Sequence, residues 1–278
     1  MRPKKLYRIW QIPPLSFFSR LLYRDIALRW QGVAFGYLLL LLALCWIPGA
    51  IRIHRSFAFF VDEEAPLVIE QVPEITIING QAFIDQPQPY TIYDPDTGEA
   101  LLVIDTSGTI TSLEQTDARG LVTARQAIFQ KNAIETRSFS FETVDRYTLN
   151  QEKITRWLDI SKTWAAPVLY PLCILGSFTY RIVQALLYAC IGLLIANLCK
   201  GKLPFDALLR LSVIAITPAI IIGTLFDAAA VSLPLEGLWF FLLSMGYLLF
   251  GIRASVGNGG PTFQFERPHL TARKLNNE

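Results

Sequence analysis

Two charged side chains inside apolar segments are the residues of this sequence best placed to do chemistry. Arg181 interrupts the apolar run 163–199, and Asp227 ends another, 207–227. A charge in hydrocarbon is costly, so it commonly serves ion or proton transfer or pairs with an opposite charge. We predict an intramembrane ion pair between Arg181 and Asp227. A structural clasp is favoured over a transport pathway, because a single pair forms no relay.

Rows of small residues predict how the two helices that carry these charges meet. Each charge continues a row of small side chains spaced three or four residues apart. Such rows let membrane helices approach closely, so we predict that they form the packing faces. The predicted rows are Ala185, Ala189, Gly192 and Ala196 beside Arg181, and Ala215, Ala219 and Gly223 beside Asp227.

Motifs for catalysis or metal binding are scarce in the sequence. The two histidines, His54 and His269, are predicted on opposite sides of a membrane and cannot form a metal site or catalytic pair within one chain. Phosphate-binding glycine loops, His-Glu-x-x-His and Gly-x-Ser-x-Gly are absent from the sequence. Asp94-Pro-Asp-Thr-Gly98 predicts a turn rather than a calcium loop. We therefore expect no enzyme activity, catalytic residue, cofactor or metal.

The placement of basic residues predicts how the chain threads a membrane. Residues 1–31 hold seven basic side chains and one acid, whereas residues 52–162 hold seventeen acids and ten bases. Lys and Arg near the ends of membrane spans mark the cytoplasmic side. We therefore predict that both ends of the chain are cytoplasmic and that residues 53–162 form a domain on the other side.

Long apolar runs predict four transmembrane helices, since about 20 apolar residues cross a bilayer. The predicted spans are residues 32–52, 179–199, 207–227 and 236–252. A further apolar helix, 163–178, is predicted in the outer interface or under the outside domain. Residues 254–278 predict a flexible cytoplasmic tail.

The cytoplasmic segment before the first span predicts a short amphipathic helix within residues 16–30. One face carries apolar side chains four residues apart: Phe18, Leu22, Ile26 and Trp30. We predict that it lies on the inner leaflet, with Arg20 and Arg24 near lipid headgroups. The alternative is a helix packed on a protein surface. Arg210, near the inner end of the third span, is predicted to contact a headgroup or to snorkel.

Alternating patterns and turn signals predict that the outside domain is mainly β. Asn79-Gly80, flanked by strands 75–78 and 81–84, predicts a hairpin. A second hairpin pairs 90–93 with 100–105, and residues 121–130 and 134–141 predict two more strands, the last half-buried. Five or six strands would form one small sheet or sandwich. The predicted fold class is an α+β membrane protein with an extracytoplasmic, mainly β domain between the first and second spans.

Short motifs spread along the chain together resemble one known family. They are Tyr23-Arg-Asp-Ile-Ala27, Arg29-Trp-Gln-Gly32, Pro73-Glu-Ile-Thr-Ile77, Gln88-Pro-Tyr90, Asp94-Pro-Asp-Thr-Gly98, Val103-Ile-Asp-Thr106, Arg210-Leu-Ser212 and Thr217-Pro218. Over residues 16–253 the chain thereby resembles the bacterial family called domain of unknown function 1189. The resemblance implies a multi-pass protein of the bacterial cytoplasmic membrane with no assigned reaction, and it supplies no catalytic residues.

Three functions remain open from the sequence. The first is a non-enzymatic scaffold, assembly or accessory component whose outside domain binds a partner, because an ordered domain is predicted while catalytic constellations are missing. The second is a small oligomeric transporter or channel, and the third is a lipid-modifying intramembrane enzyme. The expected partners are the lipid bilayer and either a protein or a second copy of the chain, with no nucleic acid.

Overall fold

The computed structural model of the chain combines apolar helices with two β-sheets, and it describes residues 6–30, 32, 34–132 and 135–256. The predicted tail is therefore outside the described residues from 257 onwards, as are residues 1–5. The chain divides into two compact units, one of residues 1–47 and 173–278 and the other of residues 48–172.

Seven α-helices account for the helical part of the described chain. In chain order they are α1 (Ile12–Leu15), α2 (Arg20–Arg29), α3 (Phe35–Phe59), α4 (Ala65–Ile69), α5 (Gln151–Leu198), α6 (Phe205–Ala228) and α7 (Glu236–Val256). Four helical segments are long and apolar enough to cross a membrane by length and composition: Phe35–Ile69, Gln151–Leu198, Phe205–Ala228 and Glu236–Val256.

Two helices are longer than the sequence predicted. The outside domain was predicted to open at residue 53, but α3 runs to Phe59 and continues through a π-helix, Phe60–Glu64, into α4. The predicted separation of 163–178 from 179–199 is also wrong, because α5 is one helix of 48 residues. At 1.5 Å per residue α5 is about 72 Å long, more than twice the roughly 30 Å hydrocarbon core of a bilayer.

Helix α6 forms the centre of the first unit. Every residue from 207 to 220 is buried, whereas α3, α5 and α7 expose large apolar side chains. A helix that is apolar all round needs neighbours on all sides. Tyr37 of α3 bonds Thr217 of α6 through their hydroxyl groups at 3.2 Å, and α6 also contacts α2 and α7. The elements of this unit therefore pack around α6.

The second unit contains eight strands in two sheets. They are β1 (Ile75–Ile78), β2 (Gln81–Ile84), β3 (Tyr90–Tyr93), β4 (Ala100–Asp105), β5 (Gly120–Thr123), β6 (Gln126–Gln130), β7 (Thr136–Ser140) and β8 (Arg146–Leu149). One sheet has the order β2-β1-β8 and the other β3-β4-β5-β6-β7. Only the β4–β5 pair is parallel among these strands. Side chains from both sheets share one core, including Ile77, Ala82, Ile104 and Val122.

Both predicted hairpins are confirmed at the predicted residues. β1 pairs with β2 across Asn79 and Gly80, whose φ angles of 48° and 78° are the positive values that a tight two-residue hairpin requires. β3 pairs with β4 as predicted. The predicted strand 121–130 is instead two strands, β5 and β6, which turn between Thr123 and Gln126.

Strand β7 differs from the half-buried strand that its alternating sequence predicted. All five of its residues are exposed. β7 is the last strand of its sheet, and among the described residues no strand pairs with its side away from β6. An unpaired edge presents free backbone N–H and C=O groups, which other chains can bind.

Candidate functional site

The end of helix α2 is held by a buried arginine of α6. Arg210 is 6% exposed, and its Nε and Nη2 donate to the carbonyl oxygens of Ile26 and Ala27 at 3.2 and 3.1 Å. Its Nη1 donates to Asp206 at 2.8 Å, one helical turn earlier. The last carbonyls of a helix have no partner within the helix, so a guanidinium with several donors satisfies them well. We call this cluster the Arg210 anchor.

This anchor corrects two predictions. Arg210 was predicted to contact a lipid headgroup or to snorkel, yet it is buried and bonded to α2. α2 was predicted to lay its apolar face on the inner leaflet, but Leu22 and Ile26 are fully buried in the core of the first unit. The alternative, a helix packed on protein, is the one observed. Phe18, from the same predicted face, is 68% exposed.

A buried carboxylate lies on the same helix. Asp25 is 3% exposed and accepts hydrogen bonds from Trp30 Nε1 at 3.1 Å and from the Leu6 backbone N–H at 3.2 Å. Arg29 lies 3.7 Å from the other carboxylate oxygen. Buried charges are stable in proteins when they are paired and hydrogen-bonded. Asp25 therefore holds the segments before and after α2 in place, and its hydrogen bonds indicate a structural role.

Helices α2 and α7 meet at a glycine. A Cβ atom placed on Gly251 would lie 2.5 Å from Cδ1 of Tyr23, and the Tyr23 hydroxyl donates to the Ser16 carbonyl at 2.8 Å. The Tyr23 ring also contacts Phe250 edge-on, with 5.4 Å between the centroids. The ring is thus fixed from several sides and has little freedom to move for a larger residue.

Replacing Gly251 with alanine is expected to destabilise the protein by about 2 kcal/mol, the usual cost of overpacking a core. The thermal unfolding midpoint of the full chain in detergent measures this effect. Gly237→Ala is the matched control on the same helix, because a Cβ there would have no atom within 4 Å. Equal midpoints for the two variants would contradict the proposed close packing of α2 on α7.

The structure surrounds Arg181 with polar side chains of its own helix. Its Nη1 donates to Gln184 Oε1 at 2.7 Å, and Gln184 Nε2 donates to the Tyr188 hydroxyl at 2.9 Å. The guanidinium also lies 5.4 Å from the centre of the Tyr180 ring. The predicted pair between Arg181 and Asp227 stays a prediction.

The small-residue rows lie mostly where helices pack. Ala185, Ala189, Gly192 and Ala196 are the small buried residues of α5, and Ala215 and Ala219 are buried in α6. A Cβ on Gly192 would contact Leu208 of α6 at 3.4 Å and Leu248 of α7 at 3.7 Å. A Cβ on Gly223 would contact Phe240 of α7 at 3.3 Å. The predicted packing of the two rows on each other stays a prediction.

In the β domain, a buried carboxylate organises the connection that follows β4. Asp105 is fully buried, and its oxygens accept from the Ser107 backbone N–H at 2.9 Å, from the Ser107 hydroxyl and from the Ile110 N–H. Gln88 Oε1 accepts from the backbone N–H groups of Thr106 and Ser107 at 2.6 and 2.9 Å. Burial, the largest single influence, favours the neutral acid, but the hydrogen bonds from Ser107 and Ile110 outweigh it and lower the pKa of Asp105.

This role of Asp105 and Gln88 was not predicted from the sequence. The available signal in the sequence was an Asp followed two residues later by Ser, a spacing that is typical of a local side-chain turn. Asp94, in the turn between β3 and β4, is the turn residue that was predicted, with its carboxylate accepting from the backbone N–H groups of Thr97 and Asp96, which lower its pKa. Among the described residues no group of His, Cys, Asp and Glu is arranged to hold a metal ion.

Exposed aromatic side chains mark the free edge of the larger sheet. Phe129 of β6 and Phe139 of β7 are 43% and 56% exposed, with ring centroids 6.3 Å apart. Arg137 is paired with Phe129 in the ladder and lies on the same face of the sheet. We call Phe129, Arg137 and Phe139, together with the free backbone of β7, the β7 edge surface. Clustered exposed aromatics commonly mark a binding surface.

Comparison with known proteins identifies a family without a described reaction. A protein-family model described as "Protein of unknown function (DUF1189)" matches residues 14–252. No curated protein and no solved structure matches the chain. Four residues of the motifs that carry the resemblance hold α2 on the first unit: Tyr23, Asp25, Trp30 and Arg210. These motif residues therefore specify how helices pack.

Proposed function

Because the chain belongs to the DUF1189 family of proteins of unknown function, we propose its role from the geometry: a non-enzymatic membrane component whose β domain binds a partner protein. The β7 edge surface carries this proposal. It combines a strand that has one edge unpaired among the described residues with two exposed aromatic rings, which is the arrangement that recognises an extended segment by strand addition. The partner would add a strand to β7 and cover Phe129 and Phe139.

Membrane attachment is supported by the outward faces of the apolar helices. Large apolar side chains are exposed on α3, α5 and α7, among them Leu40, Leu44, Leu187, Leu194 and Trp239. Such surface is unfavourable in water and suits lipid. With the basic residues concentrated near both ends, we propose a bacterial cytoplasmic membrane protein with cytoplasmic ends and an extracytoplasmic β domain.

A non-enzymatic role is supported by how the buried charges are used. Asp25, Asp105 and Arg210 each bond backbone groups of neighbouring segments. A catalytic acid or base needs an accessible proton site near a substrate. These three buried charged groups therefore hold neighbouring segments together in this proposal.

Photocross-linking in native membranes tests the β7 edge surface. A photoreactive amino acid at Ser138, in the middle of β7, is expected to give a discrete adduct of one mass with the partner. Adding Phe139→Ser is expected to reduce that adduct about 30-fold, because aromatic anchors in interfaces contribute on the order of 2 kcal/mol. Quantification on immunoblots measures the change.

Thr111 provides the control position, because it is exposed in the connection between β4 and β5. A photoreactive residue there is expected to give no adduct of the same mass. Adducts of equal mass and yield from Ser138 and Thr111 would contradict binding at β7. An adduct at twice the mass of the chain would identify the partner as a second copy.

A further inference from the structure

A cavity with two arginines opens between α2 and α7 in the first unit. Its volume is about 310 Å³, and its lining consists of Arg20, Gly246, Leu249, Phe250, Arg253 and Ala254. Arg20 belongs to the first turn of α2 and Arg253 to the last turn of α7. Among the described residues no acid contributes to this lining, so the lining carries a positive charge.

An apolar groove between α5 and α7 lies next to the cavity. This groove has a volume of about 490 Å³ and shares Gly246, Leu249 and Arg253 with the cavity. Its other lining residues are Ile195, Leu198, Cys199 and Met245. Gly246 lies at the junction where the two linings meet, and the space beside it is open, because a Cβ there would have no atom within 4 Å.

Neither arginine is neutralised in the part of the chain that the structure describes. Each of the described ion pairs of the first unit involves Arg29 or Arg210, and neither Arg20 nor Arg253 has a carboxylate within 4 Å among the described residues. The Arg20 guanidinium lies 5.6 Å from the centre of the Phe250 ring, which fixes its position at the cavity mouth. Two guanidinium groups converging on one cavity match the charge and geometry of a phosphate.

We propose that this cavity and groove bind an anionic glycerophospholipid. The phosphate would lie between Arg20 and Arg253, and an acyl chain would lie against Leu198, Met245 and Leu249. This assignment rests on the membrane location in the proposed function. Basic pockets between membrane helices on the cytoplasmic side commonly hold anionic headgroups. An acyl chain accounts for the apolar groove that a free anion would leave empty.

Lipid binding by the purified full chain in nanodiscs tests the assignment. The probes are phosphatidylglycerol and phosphatidylcholine of equal chain length, counted by native mass spectrometry. The wild-type chain is expected to retain phosphatidylglycerol. Replacing both Arg20 and Arg253 with glutamine is expected to weaken that retention roughly 30-fold, since each basic residue near a headgroup contributes about one factor of five.

Matched variants separate a built site from general charge attraction. Arg8→Gln with Lys202→Gln removes two positive charges at exposed positions elsewhere in the first unit and is expected to leave retention unchanged. Gly246→Phe keeps both charges but fills the junction, and it is expected to reduce retention at least tenfold through lost acyl contact.

Three results would overturn the assignment. The first is an equal loss of phosphatidylglycerol retention in both double-glutamine variants. The second is equal retention of the two lipids by the wild type, and the third is release of phosphatidylglycerol by millimolar inorganic phosphate. Failure of the chain to insert into nanodiscs at all would instead contradict the proposed function. Because the measurement uses the purified chain without a partner, a failure of partner binding at β7 leaves it unaffected.

Discussion

Replacing Arg210 with glutamine is expected to lower the free energy of unfolding by about 3 kcal/mol, because a buried guanidinium that donates to two backbone carbonyls is lost. The loss leaves the Ile26 and Ala27 carbonyls without their donors inside a packed unit. Lysine is expected to restore only part of the stability, because one ammonium cannot replace three directed guanidinium contacts. Release of α2 is the expected structural consequence.

Two measurements on the full chain in detergent detect this release. The unfolding midpoint reports the total loss, and amide hydrogen exchange over residues 20–30 reports whether α2 itself opens. Lys202→Gln is the control, because it removes a positive charge from an exposed position shortly before α6. Unchanged exchange in α2 together with an unchanged midpoint would show that Arg210 does not anchor the helix.

Local turn chemistry made the β-hairpins predictable. Asn79-Gly80 tolerates two positive φ angles, and few other dipeptides do so without strain. The resulting strands, β1 to β4, have the predicted bounds. The order of the strands was not predictable, because the β1–β8 pair joins residues about 70 positions apart and depends on the tertiary fold.

Periodicity predicted an apolar face on α2 but could not identify what covers that face. Leu22 and Ile26 recur every four residues whether a helix lies on lipid or on protein. In the structure Arg210 bonds α2, which shows that protein covers this face. The sequence alone could not show this, because a cation near the start of an apolar helix can either reach headgroups or bond a neighbouring element. Only the position of α2 distinguishes these outcomes.

The exposure of β7 shows the same limit for strands. Phe139 alternates with polar residues as a half-buried strand requires, but burial also needs an opposing layer. The smaller sheet has three strands and the larger sheet has five. Phe129 and Phe139, near the β7 edge of the larger sheet, are exposed. The sequence pattern alone could therefore not predict the surface that we propose for partner binding.

Replacing Asp105 with asparagine is expected to destabilise the β domain by about 3 kcal/mol, because a buried carboxylate that accepts hydrogen bonds from Ser107 and Ile110 is lost. An amide offers one oxygen and a donor group, so one of the present donors would face another donor. The connection after β4, which leads to the parallel partner β5, is expected to open first.

The effect should depend on pH with a definite sign. The pKa of Asp105 is lowered in the folded protein, so its ionised form stabilises the fold fully above the unfolded value, about pH 4. That contribution is lost as the pH falls through the lowered folded value. The stability difference between wild type and Asp105→Asn should therefore be constant near neutrality and shrink below about pH 4.

Amide exchange at Ser107 and Ile110, followed from neutral to acidic pH in the full chain, measures both the size and the sign of the effect. Asp117→Asn is the matched control, because Asp117 is exposed in the same connection. Its change is expected to stay within about 0.5 kcal/mol, as for ordinary surface substitutions. If the two variants protected Ser107 and Ile110 equally, Asp105 would not be the residue that holds this connection on the sheet.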